Sequence, residues 1–81
     1  MAYRLKYDRA AEAVHDALPQ GASEQLSLAL AAACDDPIIA TQPYGEDDGV
    51  VRMLVTEHVI AVLMVGSATK TLTVLQLNFM G

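Results

Sequence analysis

The chain has 81 residues, of which 53% are apolar, and its 10 acidic and 5 basic side chains give a net charge of −5. That length fits one compact unit, residues 1–81, with a core small enough that a partner or self-association would steady it. The apolar fraction is too high for a disordered tail, and the acidic balance argues against generic binding to nucleic acid or to an anionic membrane.

A lone cysteine, Cys34, excludes an internal disulfide, and with only two distant histidines beside it no zinc cluster or other metal site is expected. Met1-Ala2-Tyr3-Arg4 has no signal-peptide pattern, so the expected location is the cytoplasm. The longest charge-free run of the apolar second half, Val59–Thr69, spans 11 residues, short of the about 20 that a membrane span requires, so a soluble chain is expected.

In chain order, Tyr3-Arg4-Leu5-Lys6-Tyr7 alternates apolar and cationic side chains, the period of a strand with one buried and one wet face. Asp8 is a suitable N-cap for a helix from Arg9 to Leu18, with Ala10, Val14 and Leu18 at helical spacing. Pro19-Gln20-Gly21 breaks it. A second helix follows from Ala22 to Cys34, with Leu26, Ala29, Leu30, Ala33 and Cys34 on one stripe and Glu24 in its first turn. Asp35-Asp36-Pro37 ends that helix, and Ile38 to Gly49, with Pro43, Gly45 and the acids Glu46-Asp47-Asp48, reads as a loop.

From Val50 onward β-branched residues dominate, predicting strands over Val50–Val55, Val59–Val65 and Thr71–Leu77. The connections Thr56-Glu57-His58 and Gly66-Ser67-Ala68-Thr69 are short enough for hairpins, so an antiparallel meander is expected. The order β-α-α-β-β-β predicts an α+β fold, an antiparallel sheet covered on one face by a two-helix hairpin. Val59–Val65 is apolar on both faces, which suits a central strand or one covered on its far side by a second chain.

Candidate chemistry is sparse. Gly66-Ser67-Ala68-Thr69-Lys70-Thr71 lacks the glycine before the lysine, and a strand rather than a helix follows, so it is not a phosphate loop. Glu46 to Glu57 has the length of a calcium loop but places Val51 where glycine is obligatory, so a solvated acidic loop is expected. His15 reads as an exposed residue on the flank of the first helix and His58 as a hairpin residue. Cys34 reads as a buried small hydrophobe rather than a nucleophile. Arg4 and Lys6 share a strand face opposite Tyr3, Leu5 and Tyr7, and with Arg52 form a candidate cationic stripe on the open sheet face. No convergent polar residues support a small-ligand pocket between helices and sheet, and no cofactor is expected.

As a whole, Ala2-Tyr3-Arg4-Leu5-Lys6-Tyr7 followed by Ala10-Ala11, the Leu18-Pro19 break, the Asp36-Pro37 helix end and the final Leu72-Thr73-Val74-Leu75 strand resemble the RelE/ParE superfamily of bacterial toxin–antitoxin toxins. The resemblance spans nearly the whole chain. It implies a small RelE-like domain of β-α-α-β-β-β order, an antitoxin partner, a role in plasmid stabilisation, and action on translating messenger RNA or on DNA gyrase.

The ribonucleases of that superfamily resemble one another in a tyrosine-arginine-x-x-tyrosine strand and a histidine-arginine-arginine segment. Here the corresponding regions read His58-Val59-Ile60-Ala61-Val62 and Leu77-Asn78-Phe79-Met80-Gly81, leaving Arg52 as the cation in register. The expectation is therefore a non-catalytic member that binds a protein partner, antitoxin-like or a second copy. Its contacts would run through Arg4, Lys6, Arg52, His58 and Val59, with Phe79 and Met80 as an apolar anchor. The rival reading is an active toxin, either a messenger-RNA-cleaving ribonuclease or a gyrase inhibitor.

Overall fold

The computed structural model describes residues 2–45 and 49–81. Its elements are β1 (Arg4–Tyr7), α1 (Arg9–Ala17), α2 (Gln20–Asp35), α3 (Pro37–Ala40), β2 (Gln42–Pro43), β3 (Val51–Val55), β4 (Val59–Gly66) and β5 (Thr71–Phe79). The acidic loop and calcium-loop readings centre on Glu46, Asp47 and Asp48, which lie outside the described residues.

Asp8 caps α1 as expected, its carboxylate accepting from the Ala10 amide at 3.3 Å. The break between the helices is tighter than the sequence suggests. Leu18 closes α1 and Pro19 is already the N-cap of α2, because proline costs little where a backbone amide has no helical partner anyway. With α2 starting at Gln20, Glu24 falls beyond its first turn. Ala22, Leu26, Leu30 and Ala33 are the buried stripe of α2, at the spacing of one helical face.

The expected loop after α2 contains two short elements. Asp36 caps α3 by accepting from the Ile39 amide at 3.1 Å, with Pro37 at the start of the turn. Gln42 and Pro43 then pair with Met53 and Arg52 as edge strand β2, a position that tolerates proline's missing donor.

The sheet order is β1-β5-β4-β3-β2. β3, β4 and β5 form the expected antiparallel meander, with β4 in the interior of the sheet. The fully antiparallel expectation is corrected at one pair: β1 joins β5 in parallel, in the register Arg4 with Thr71 through Tyr7 with Val74. The helices carry the chain across one sheet face from β1 to the far edge, and the meander then runs back through β3 and β4 to bring β5 alongside β1 in the same direction. An irregularity at Val62/Leu63 leaves Leu75 as the extra residue of β5.

The core lies between that sheet face and α1 and α2. Val59, Ala61, Leu63 and Val65 of β4 and Leu72, Val74 and Leu77 of β5 meet Ala11 of α1 and the α2 stripe. No helix among the described residues is long and apolar enough to cross a membrane.

One cation enters this side. Arg52 is 5% exposed. Its Nε donates to Thr41 Oγ1 at 2.7 Å, and its Nη2 donates to the carbonyls of Thr41 at 2.9 Å and Ile38 at 3.2 Å. Thr41 Oγ1 in turn donates to the Pro37 carbonyl. The guanidinium thus satisfies carbonyls at the C-terminal end of α3, where helical carbonyls lack partners. Arg52→Met is expected to lower stability by about 1–3 kcal/mol, the cost of leaving such acceptors unsatisfied, read as a lower urea midpoint at unchanged slope.

Candidate partner-binding face

The sheet face opposite the helices is described by cross-strand register. On β3 and β4, Val51 sits beside Met64, Met53 beside Val62 and Val55 beside Ile60. On the β5 side of these pairs stand Thr73 beside Met64, Gln76 beside Val62 and Asn78 beside Ile60. β1 completes the face with Lys6 beside Thr73 and Arg4 beside Thr71. From β3 to β1 the surface therefore grades from aliphatic, through hydroxyl and amide, to cationic, with Gln42 of β2 beside Met53 at the other edge. Among the described residues no helix covers it. Met64 is 41% exposed and Val55 similarly open, whereas Val62 is only 7% exposed, lying between its strand neighbours.

Arg4 and Lys6 are exposed on this face, where the alternation places them. Arg52 is not: it lies on the helix side with Leu54, buried and bonded to the α3 end, which corrects its place in the expected stripe. Val59 is fully buried under the helices and offers a partner no surface. His58 is half-buried in the β3–β4 turn, where Thr56 Oγ1 accepts from the Val59 amide at 3.0 Å. Its Nδ1 lies 3.1 Å from the Gly81 carbonyl, and its own carbonyl accepts from the Met80 amide at 2.7 Å. His58 is thus the anchor of the C-terminal tail. Phe79 pairs with Val59 on the helix side, half-exposed, and with Pro19, Gly21, Ala22 and His58 lines a small apolar hollow; Met80 is exposed beside it. The seven residues do not form one site. Arg4 and Lys6 share the open face, Phe79, Met80 and His58 gather at one end of the sheet, and Arg52 and Val59 are interior.

A polar cluster not anticipated from sequence lies between β1, α1 and α2. His15 is half-buried rather than exposed: Tyr7 Oη is 2.8 Å from its Nδ1, and Ser27 Oγ is 3.4 Å from its Nε2. Glu12, Asp16 and Ser23 join Tyr7 and His15 around a hollow of about 400 Å³. The Ser27 contact is too long to activate a hydroxyl as a nucleophile, and His15 serves as a clasp joining three elements. Nothing in the spacing of Tyr7, His15 and Ser27 signals the clasp, because it closes only when the strand and both helices have docked.

Burial raises the Tyr7 pKa, with Asp16, Cys34 and Glu12 adding in the same direction. Burial, reinforced by Asp35, likewise raises that of Cys34, which keeps the thiol protonated and poorly nucleophilic. Among the described residues no group of three or more histidine, cysteine or carboxylate side chains is placed to hold a metal ion.

No protein-family model and no curated protein matches the sequence. Solved structures do. The isolated E. coli RelE toxin superposes with a TM-score of 0.84 at 22% identity, over 99% of this chain and 86% of that one. A RelBE toxin–antitoxin complex from Mycobacterium tuberculosis gives 0.81 at 11% identity, over 98% and 99%. An archaeal RelE–RelB complex from Pyrococcus horikoshii gives 0.73 at 14% identity, over 100% and 98%. The fold is therefore that of these RelE toxins, as the sequence resemblance implies.

Tyr7→Phe removes the phenol from the clasp and is expected to cost about 1 kcal/mol. The folded state holds the Tyr7 proton more tightly than the unfolded chain. Its contribution is therefore complete below pH 10.0 and is lost as pH rises through the elevated folded value. Alkaline denaturation of Tyr7→Phe should accordingly be shallower than that of the unsubstituted chain.

Proposed function

We propose that this chain is a toxin–antitoxin type protein that acts by binding a protein partner across its open sheet face, without cleaving RNA. One observation carries the reading. The middle of that face is built from Val51, Met53, Val55, Ile60, Val62 and Met64, and among the described residues its cations, Arg4 and Lys6, stand at the β1 rim. Cleavage of an RNA backbone needs a general base, a general acid and cations that stabilise the developing phosphorane charge, held around one phosphate. Aliphatic side chains supply none of these, and Arg4 and Lys6 stand beyond a row of threonines from the centre. An apolar face on which Val55 and Met64 are exposed and Val51, Met53 and Ile60 half-buried, with a polar rim, instead suits a protein partner.

Neighbours in fold support a partner of antitoxin kind, since those from M. tuberculosis and P. horikoshii were solved as complexes with RelB. The complementary segment would place aliphatic side chains on β3 and β4 and carboxylates on Arg4 and Lys6. Self-association through the same face is the competing occupancy, and light scattering separates it from a heteromeric complex.

The test is induced expression in a bacterial host, with mapping of RNA ends, alongside co-purification with the product of the adjacent reading frame. The expected result is a stable complex that Met64→Asp weakens at least about tenfold, with no new RNA ends. Transcript cleavage that disappears with Arg4→Ala or Lys6→Ala would overturn the non-catalytic reading.

A further inference from the structure

The two edges of the sheet are finished differently. At one, β2 is 2 residues long and its Pro43 has no amide to donate, which blunts that edge. At the other, no strand among the described residues lies beyond β1. In a parallel ladder, alternate residues turn their backbone groups toward the neighbouring strand. The Arg4 amide donates to the Lys70 carbonyl and the Asp8 amide to the Val74 carbonyl, each at 2.8 Å. Arg4, Lys6 and Asp8 therefore face β5, and Leu5 and Tyr7 turn their amides and carbonyls outward. The Tyr3 amide, on the same outward side, is taken by the Cys34 carbonyl at 2.7 Å. Leu5 and Tyr7 have no such cover: among the described residues no group outside the ladder bonds to their backbone, and the Leu5 side chain is 37% exposed.

The side chains of β1 decide what can pair there. Arg4 and Lys6 are exposed on the open face and form no ion pair among the described residues. A second copy is a poor occupant. Setting Leu5 against Leu5 of an antiparallel copy puts Arg4 opposite Lys6, and setting Leu5 against Tyr7 puts Lys6 opposite Lys6. Like charges directly opposite destabilise a strand pair. Nucleic acid offers no peptide ladder to Leu5 and Tyr7. An extended segment with carboxylates at alternate positions satisfies both the backbone groups and the two cations.

We infer that the outer edge of β1 accepts an extended acidic segment of a partner protein as an added strand. Its backbone pairs with Leu5 and Tyr7, and carboxylates two residues apart in the segment lie beside Arg4 and Lys6. The inference extends the proposed partner binding from the sheet face to the edge beside it, and it does not depend on the face being covered.

The probe is a labelled peptide of about six residues, an ordinary strand length, in which valine and glutamate alternate, titrated against the intact chain by fluorescence anisotropy. The glutamate peptide should bind, with affinity falling as salt is added, and the same peptide with lysine in place of glutamate should not. N-methylation of one alternate set of its amides should abolish binding and of the other set leave it, the valine set marking an antiparallel addition and the glutamate set a parallel one. On the protein side, Leu5→Pro removes an outward amide without taking a donor from the β5 ladder and should weaken binding about tenfold. Arg4→Ala combined with Lys6→Ala should weaken it similarly and flatten its salt dependence. Circular dichroism checks that the variants are folded, and the methylated peptides test the pairing on the unsubstituted chain. Met64→Asp separates this reading from binding across the face, because edge pairing should survive it. The inference is overturned if the glutamate peptide does not bind, if both methylation sets act alike, or if Met64→Asp abolishes binding that Leu5→Pro retains.

Discussion

Two helices cover one face of a five-stranded sheet, and its central strand, β4, is apolar on both faces. On the helix side, Val59, Ala61, Leu63 and Val65 of β4 are buried against α1 and α2, where full burial of a branched aliphatic side chain stabilises by about 1.5–3 kcal/mol. On the other side Ile60, Val62 and Met64 stand on a face that no helix covers among the described residues. Strand alternation makes the two sets inseparable, since a one-residue slip would exchange them. The stable core and the unfilled apolar surface are thus two consequences of one strand, and the surface gives the chain a physical reason to bind a partner.

The same alternation decides where the cations go. Leu54 is almost fully buried, so Arg52, two residues earlier, must face the helices as well. Its charge is accommodated because α3 ends beside it with carbonyls to spare and Thr41 offers an oxygen. Arg52 thereby ties the connection after α2 to β3. It leaves Arg4 and Lys6 as the cations on the open face, at a strand reached only across the threonines of β5. The aliphatic centre and distant charges on which the proposed function rests are products of register, and a shared fold alone would not establish an activity.

Much of the architecture was legible before folding. The β3–β5 meander follows from β-branched runs separated by short turns, α1 from the Asp8 cap and helical spacing, and the α2 stripe from Leu26, Leu30 and Ala33. Parallel pairing of β1 with β5 was not legible, because it joins segments more than sixty residues apart and depends on the helical crossover. α3 and β2 were hidden by their lengths of 4 and 2 residues, too short for periodicity to register. The partner-site residues were partly legible. Alternation places Arg4 and Lys6 on the open face, but the β3 side on which Arg52 falls was misread. His15 has no neighbour in sequence that betrays Tyr7 and Ser27.

Local order determined the kind of elements and their approximate bounds, since capping, proline and side-chain period act over a few residues. It also determined that the central strand carries apolar residues on both sides. Tertiary structure decided which sheet face is covered, which cation is withdrawn into the interior, and which histidine becomes a clasp and which a tail anchor. Those outcomes rest on contacts between residues distant in the chain, which exist only after the crossover closes and the register is set.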